Sequence, residues 1–503
     1  MSKLSNFFLI FLYLLLYCAA ALYNYHMFQL TSYKARTYLR GFTRNFKKYY
    51  LGTDNKSPLY YILRVINLWP QKAKKPLVHT PRMIRMFVTH TVILALAVLW
   101  LFSTKNIFLM IPFALLFALL IPVFVLLVNF LNSPLENTIN NWYVADAKRI
   151  LREMPRLIVI GVTGSYGKTS IKHFLTKLLS SKFNTLMTPE SYNTTMGVVK
   201  TIRTQLRSIH DIFVCEMGAR NRGDIKEICD IVKPRCGVIT AIGPQHLESF
   251  KTIDNIVKTK FELADALPDD GIIFLNYDSE ILRNKNYDRS RVSYAASAEA
   301  GACDYSAGNV SVSDAGSSFR VTFPDGGEMA FETSLIGKHN VQNIAGAIAV
   351  ADYFGVERSD MVMSVRRLEA VPHRLQLIRR NNIILIDDSY NSNESGAKAA
   401  LEVLGMFDGV RILVTPGMVE LGSAEDDSNR RFGEQAGAVC DYVVLVGEKQ
   451  TRSIWKGLKD SAYPDEKIFV AETLQQALEA VETIDAGGRQ KIVLLENDLP
   501  DNY

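Results

Sequence analysis

The chain has 503 residues, 48% of them apolar and 21% charged, with a net charge of +6. That length allows about three domains, and the composition fits a globular protein that carries some strongly apolar sequence. Thirteen Lys/Arg but a single acid, Asp54, fall between Thr31 and Arg85, so the rest of the chain is net acidic, which argues against nucleic acid as a partner.

From the N-terminus, no charged residue occurs between Lys3 and Lys34, and Phe7 to Leu22 is almost purely apolar. Met86 to Thr104 is uncharged, and so is Asn106 to Leu135. A spanning helix needs roughly 20 apolar residues. Three transmembrane helices are therefore expected within residues 1–135, near 5–23, 86–104 and 107–130. A cleaved signal peptide is the other reading of the first, but Tyr13, Tyr17, Tyr23 and Tyr25 look like interfacial anchors and no small-residue cleavage site is persuasive. Loops rich in Lys and Arg stay inside, so the basic loop 31–85 is expected in the cytoplasm together with everything after Leu135. The same loop suits contact with anionic membrane lipid.

Pro134 to Met154 reads as an amphipathic connecting helix, with Trp142, Val144, Ala147, Ile150 and Leu151 on one face. Leu157, Ile158 and Val159 then lead as a buried strand into Thr163-Gly164-Ser165-Tyr166-Gly167-Lys168-Thr169-Ser170, and helical spacing resumes from Ile171 to Leu179. Strand, glycine turn and helix start make a phosphate cradle of backbone N–H groups and helix dipole. Lys168 is placed to neutralise the outer phosphates of ATP and the Thr169 hydroxyl to hold Mg2+. The pattern is a variant, since Val162 stands where a P-loop ordinarily has its first glycine.

Next come a polar loop, Thr188 to Gly197, a strand ending at Glu216 and another followed by His246. Ligands of parallel sheets gather at the carboxyl ends of strands, so this carboxylate and imidazole suggest a second metal position. Taken singly, each reads as an ordinary hydrogen-bonding residue, and Lys260 as solvent-facing. Residues 295–332 suit an antiparallel edge or hairpin. Gly337-Lys338-His339-Asn340-Val341-Gln342-Asn343 precedes an alanine-rich helix, Ile344 to Tyr353. From Arg374 strands and helices alternate: Ile383–Ile386, Val410–Val414, Tyr442–Val446, Lys467–Val470 and Lys491–Leu495 predict a second doubly wound sheet starting near Pro372. The six cysteines show no CxxC pair and no zinc spacing, the pattern of reduced thiols.

These motifs resemble, in order, those of the Mur ligase family. Asp387-Asp388-Ser389-Tyr390-Asn391-Ser392-Asn393 and Thr415-Pro416-Gly417-Met418-Val419-Glu420-Leu421-Gly422 are similar to the branch that adds D-alanyl-D-alanine to a muramoyl tripeptide. The resemblance implies an α/β fold with a central P-loop ATPase domain (136–335), a nucleotide-contacting helical connection (336–372) and a C-terminal Rossmann-like domain (373–503). It also implies an ATP-dependent ligase that activates a carboxylate as an acyl phosphate for attack by an amine. The substrates would be a cell-wall precursor or related acid and an amino acid or dipeptide, used at a bacterial inner membrane with the catalytic domains cytoplasmic.

By the same resemblance Thr163 to Ser170, Asn340, Asn343, Arg374 and Asp388 bind ATP, with Arg374 and Asp388 closing over it from the C-terminal domain. Thr169, Glu216, His246 and a carbamylated Lys260 hold magnesium, so Lys168, Lys260, His246 and Glu216 form the catalytic set. Tyr390, Asn391 and Asn393 lie near the incoming amine or the nucleotide.

The departures concern the acceptor. Three spans replace the usual soluble UDP-sugar domain, Asn393-Glu394 stands where Asn-Pro is frequent, and Glu496 to Tyr503 lacks the usual Lys-Gly-Ser turn. The membrane region in place of the UDP-sugar domain points to a lipid-linked or polymeric acid. A γ-glutamyl-type ligase and a non-catalytic ATP-binding membrane scaffold are the competing readings.

Overall fold

The computed structural model describes residues 2–35, 37–39, 76–104, 120–244, 247–390, 393–419 and 421–498. They fall into two compact units, one comprising residues up to 142 and the other residues 143–498.

The first unit contains the helices Ser2–Leu30 and Pro81–Thr104 and the start of a third, Ile121–Arg152. Tyr17, Tyr25, Phe28, Met83, Met86, Val125 and Val128 pack at its centre. Polar side chains are buried there too. The His90 ring lies 2.8 Å from Tyr17 Oη and 2.9 Å from Tyr25 Oη. Asn132 Nδ2 donates to Thr89 Oγ1 at 3.0 Å, and Arg85 makes a bidentate pair with Glu136 at 2.6 and 2.9 Å. Large apolar residues face outward instead, among them Val88, Val92, Leu96, Leu99, Leu127 and Phe130.

Of the three expected spans, one is supported by length and apolarity. Among the described residues only Pro81–Trp100 is long and apolar enough to cross a membrane. Residues 107–119 of the expected third span, and 40–75 of the basic loop, lie outside the described residues. The rest of that span and the connecting helix are one continuous helix with Pro134 inside it.

The second unit holds two sheets. The larger has nine strands in the order β2-β3-β1-β4-β5-β6-β7-β8-β9. These are β1 (Ile158–Thr163), β2 (Thr185–Met187), β3 (Ile212–Glu216), β4 (Cys236–Ile239), β5 (Ile272–Asn276), β6 (Arg291–Ala295), β7 (Tyr305–Ser313), β8 (Gly316–Thr322) and β9 (Glu328–Thr333). The first seven run parallel, while β7–β8 and β8–β9 pair antiparallel, forming the expected edge. β1, β3 and β4 are buried almost throughout, as parallel strands covered on both faces must be. One face packs against the helices Lys168–Leu179 and Lys338–Tyr353, the other against Thr195–Gln205, Asp224–Val232 and Ile253–Asp265.

Two glycines set how closely Ile253–Asp265 approaches. A Cβ on Gly161 of β1 would lie 2.6 Å from Leu263 Cδ1, and one on Gly237 of β4 3.1 Å from Leu263 Cγ. Leu263 thus fills a groove over bare backbone, a burial that contributes about 2 kcal/mol. Lys260, one turn earlier, is carried in with it.

The smaller sheet has the order β10-β11-β15-β12-β13-β14. Its strands are β10 (Gln376–Arg380), β11 (Ile383–Asp388), β12 (Val410–Thr415), β13 (Tyr442–Val446), β14 (Ile468–Ala471) and β15 (Lys491–Glu496). All but β10 run parallel. β10, unexpected from the sequence, pairs antiparallel with β11 through a tight turn at Asn381, whose φ is +45°. Apolar clusters cover both faces, and all six cysteines are free thiols.

Candidate active site

The phosphate loop joins β1 to the Lys168–Leu179 helix. Gly164 and Gly167 have φ of +151° and +78°, conformations that a side chain would strain. A Cβ on Gly164 would also collide with Thr240 Oγ1, and one on Gly167 would sit 2.6 Å from Asn343 Oδ1. The loop is pinned from behind. Ser165 N donates to the Ala241 carbonyl at 2.7 Å, Ser165 Oγ to the Gly243 carbonyl at 3.0 Å, and Tyr166 Oη to the Pro244 carbonyl at 3.2 Å. Thr163 Oγ1 donates to the Met217 carbonyl at 2.9 Å. Val162 is buried in β1, so the strand continues where a P-loop ordinarily begins its turn.

Lys168 Nζ donates to the carbonyls of Gly164 and Ser165 at 2.7 and 3.1 Å, curling over the loop. Burial lowers its pKa to about 8; the Glu216 carboxylate opposes this and the Arg374 charge adds to it. Thr169 Oγ1 lies 3.3 Å from Glu216 Oε1, which also accepts from Asn193 Nδ2 at 2.9 Å. Lys172 Nζ, fully buried one turn along the same helix, pairs with Glu216 Oε2 at 2.9 Å. Burial pushes the Glu216 carboxyl up, but Lys172, Lys168 and Asn193 outweigh it and hold the acid below its ordinary range.

The Thr169 hydroxyl and Glu216 Oε1 are hard oxygen donors side by side. They fit Mg2+, which takes few protein ligands and completes its shell with water and phosphate oxygens. Among the described residues no three His, Cys, Asp or Glu side chains cluster, so this is no all-protein metal cage. Lys260 is 2% exposed, which overturns the solvent-facing reading of that residue taken alone. Burial, then the Lys168 charge, drives its pKa well down against the opposing acids Glu262, Asp224 and Glu216. His246 and Asn391 lie outside the described residues.

The Lys338–Tyr353 helix packs directly on the first sheet and begins six residues earlier than its alanine run implies. Asn340 Nδ2 donates to the Ile336 carbonyl at 2.8 Å, while Asn343 reaches the phosphate loop at Gly167. Beyond it, Arg374 stacks over the Tyr390 ring at 4.2 Å. Its charge also acts on Lys168, on His339 and on Asp388. Residues on either side of Arg374 adopt left-handed conformations, φ +61° at His373 and +46° at Leu375. Such geometry in non-glycine residues persists only where its surroundings enforce it. Here His373 Nδ1 lies 2.8 Å from Asp387 Oδ2, and Leu375 N donates to Asp388 Oδ1 at 3.2 Å. Burial raises the Asp388 pKa to about 6 against the pull of Arg374.

Asn393 caps the Glu394–Leu404 helix, its Oδ1 accepting from Gly396 N at 2.9 Å. Glu394 takes the first helical position, where proline is frequent but an acid suits the helix dipole. Lys168, Thr169, Glu216, Asn343 and Arg374 are thus associated through contact or charge. Sequence reasoning missed Lys172, Asn193 as a Glu216 partner, and the His373–Asp387 pair. An i,i+4 spacing from Lys168 is the one signal that marks Lys172 beforehand.

Comparisons agree with this architecture. Residues 162–351 match the Mur ligase middle domain, and 373–495 the Mur ligase, glutamate ligase domain. The UDP-N-acetylmuramoyl-tripeptide–D-alanyl-D-alanine ligase of Escherichia coli (strain K12) is 32% identical over 333 residues, 64% of this chain and 73% of that enzyme. The enzyme of the same name from Bacillus subtilis (strain 168) is 31% identical over 290 residues, 57% of this chain and 62% of its relative. In three dimensions the chain is similar to a crystal structure of MurF from Acinetobacter baumannii, with a TM-score of 0.65 and 25% identity over 72% of this chain and 78% of that one. Two domain matches in series and a relative covered over most of its length place this chain in the Mur ligase family.

Proposed function

We propose that this Mur ligase joins a muramoyl-tripeptide acid to D-alanyl-D-alanine or a closely related amine, using ATP and Mg2+ in peptidoglycan precursor synthesis. A carboxylate oxygen of the acid attacks the γ-phosphorus and ADP leaves. The amine then attacks the acyl carbon, and phosphate departs carrying that carboxylate oxygen. The observation that carries the reading is the Lys168–Thr169–Glu216 cluster, with Arg374 from the second domain acting on the same loop.

Thr163 to Ser170 cradle the phosphates through backbone N–H groups and Lys168, whose charge offsets that gathering on the transferred group. Thr169 and Glu216 hold the magnesium ion, which draws charge from the phosphate oxygens when bound. By the family resemblance His246 and, once carbamylated, Lys260 would serve a second magnesium. Burial favours its neutral amine, the form that takes up carbon dioxide and releases a proton to become a carbamate anion. Asn340, Asn343, Arg374 and Asp388 hold the nucleotide. By the family resemblance Tyr390, Asn391 and Asn393 serve the incoming amine or the nucleotide. Closure of the second domain excludes water, which would otherwise consume the acyl phosphate.

The N-terminal unit supports a membrane location. A few paired polar groups are buried with its apolar centre, and large apolar side chains such as Leu96, Leu99 and Phe130 also face out, an outer surface that lipid favours. In this reading residues 1–135 form the membrane region, 31–85 stay cytoplasmic, and the ligase domains follow on the cytosolic side. A lipid-linked acid is then the preferred substrate.

The test is phosphate release from ATP by purified protein in detergent, with D-alanyl-D-alanine and either UDP-muramoyl-tripeptide or its lipid-linked form. Turnover that needs both acid and amine, and favours the lipid-linked acid, is expected. Equal use of the soluble acid removes the lipid-linked proposal, and no amine-dependent turnover with either removes the ligase reading.

A further inference from the structure

We infer that Lys172, outside the phosphate-binding residues, is a positioning residue that ties the magnesium carboxylate Glu216 to the loop at 188–194. This inference rests on the ligase reading for the identity of the metal.

Glu216 has two differently used oxygens. Oε1 faces Thr169 and Asn193, at 3.3 and 2.9 Å. Oε2 points the other way, to Lys172 Nζ at 2.9 Å, with both side chains at most 1% exposed. Among the described residues Oε2 accepts no hydrogen bond, so the buried ammonium holds it by charge at 2.9 Å; that unscreened attraction keeps Oε1 turned toward the Thr169 hydroxyl. The Lys172 ammonium has a second partner, the Glu190 carbonyl. Glu190 itself has a φ of +43°. Asn193, three residues on, closes the ring by donating to Oε1, and its own carbonyl accepts from Gly218 N at 2.7 Å. Thr188 Oγ1 accepts from Glu216 N at 3.0 Å.

The loop is therefore held at both ends by the residue proposed to hold the cation, and Lys172, from outside the loop, contacts carboxylate and loop together. A cation arriving at Oε1 competes with the Asn193 amide. Lys172 keeps both carboxylate and loop in register while that exchange happens. Partners behind a metal ligand of this kind typically matter by about 10- to 100-fold in metal affinity.

The experiment is ATP binding by calorimetry with and without Mg2+, joined to hydrogen exchange at residues 190–194, for wild type and Lys172→Met. Wild type is expected to bind ATP more tightly with Mg2+; if it does not, the function reading fails rather than this inference. Lys172→Met is expected to lose about tenfold or more of the magnesium-dependent gain, to bind magnesium-free ATP as wild type does, and to exchange faster at 190–194. An unchanged magnesium gain in folded Lys172→Met overturns the inference. If the single variant does not fold, Lys172→Met with Glu216→Gln removes the unpaired charge. Exchange at 190–194 should still accelerate there, and a wild-type rate overturns the inference.

Discussion

At the scale of single residues, desolvation holds the charge of two site lysines, Lys168 and Lys260, in check. Lys168, with a pKa of about 8, is still a cation at neutral pH and loses its charge above that value. A phosphate ligand favours the protonated form, so the affinity of the free protein for ATP should fall as pH rises through about 8. Calorimetric titration from pH 7 to 9.5 measures this, and Lys168→Arg, whose guanidinium stays charged, should flatten the decline. Lys168→Ala should remove ATP binding at any pH. Lys260 has a different proposed task. Lys260→Ala should keep ATP binding within a few-fold while turnover drops by about 100-fold or more, the scale of losing one charge-stabilising group. Loss of binding and turnover together would make Lys260 a structural residue.

At the scale of elements the decisive device is the close approach of Ile253–Asp265 to β1 and β4. Gly161→Ala puts a methyl against Leu263 and should cost about 1–3 kcal/mol by overpacking, read as a lower denaturation midpoint, with turnover reduced because Lys260 rides on the displaced helix. A neutral Gly161→Ala would mean that helix is not set by β1. This also marks what was legible beforehand. Gly-Lys-Thr between a strand and a helix is local chemistry and could be read directly, as could the five parallel strands of the second sheet. β10 was not, because its five residues are half polar and gain their order from pairing with β11. Lys172 was not, because its burial comes from β3 and the 188–194 loop, which meet only in the fold. The strained backbone around Arg374 was invisible for the same reason: nothing in Pro372-His373-Arg374-Leu375 announces positive φ until Asp387 and Asp388 are placed beside it.

At the scale of the whole molecule, a Mur ligase chemistry follows an N-terminal unit that buries a few paired polar groups in an apolar centre and also carries large apolar side chains on its outer face. Carbonate washing of membranes from expressing cells should leave the full chain in the pellet and detergent should release it; release by carbonate alone would make the attachment peripheral. What the two sheets do together is form an amide through an acyl phosphate, and oxygen tracing tests that claim most directly. With the acid labelled with 18O in its reacting carboxylate, the account predicts phosphate carrying one labelled oxygen for every amide formed, and none from Lys168→Ala. Amide appearing with unlabelled phosphate, or phosphate released without acid and amine, would contradict it.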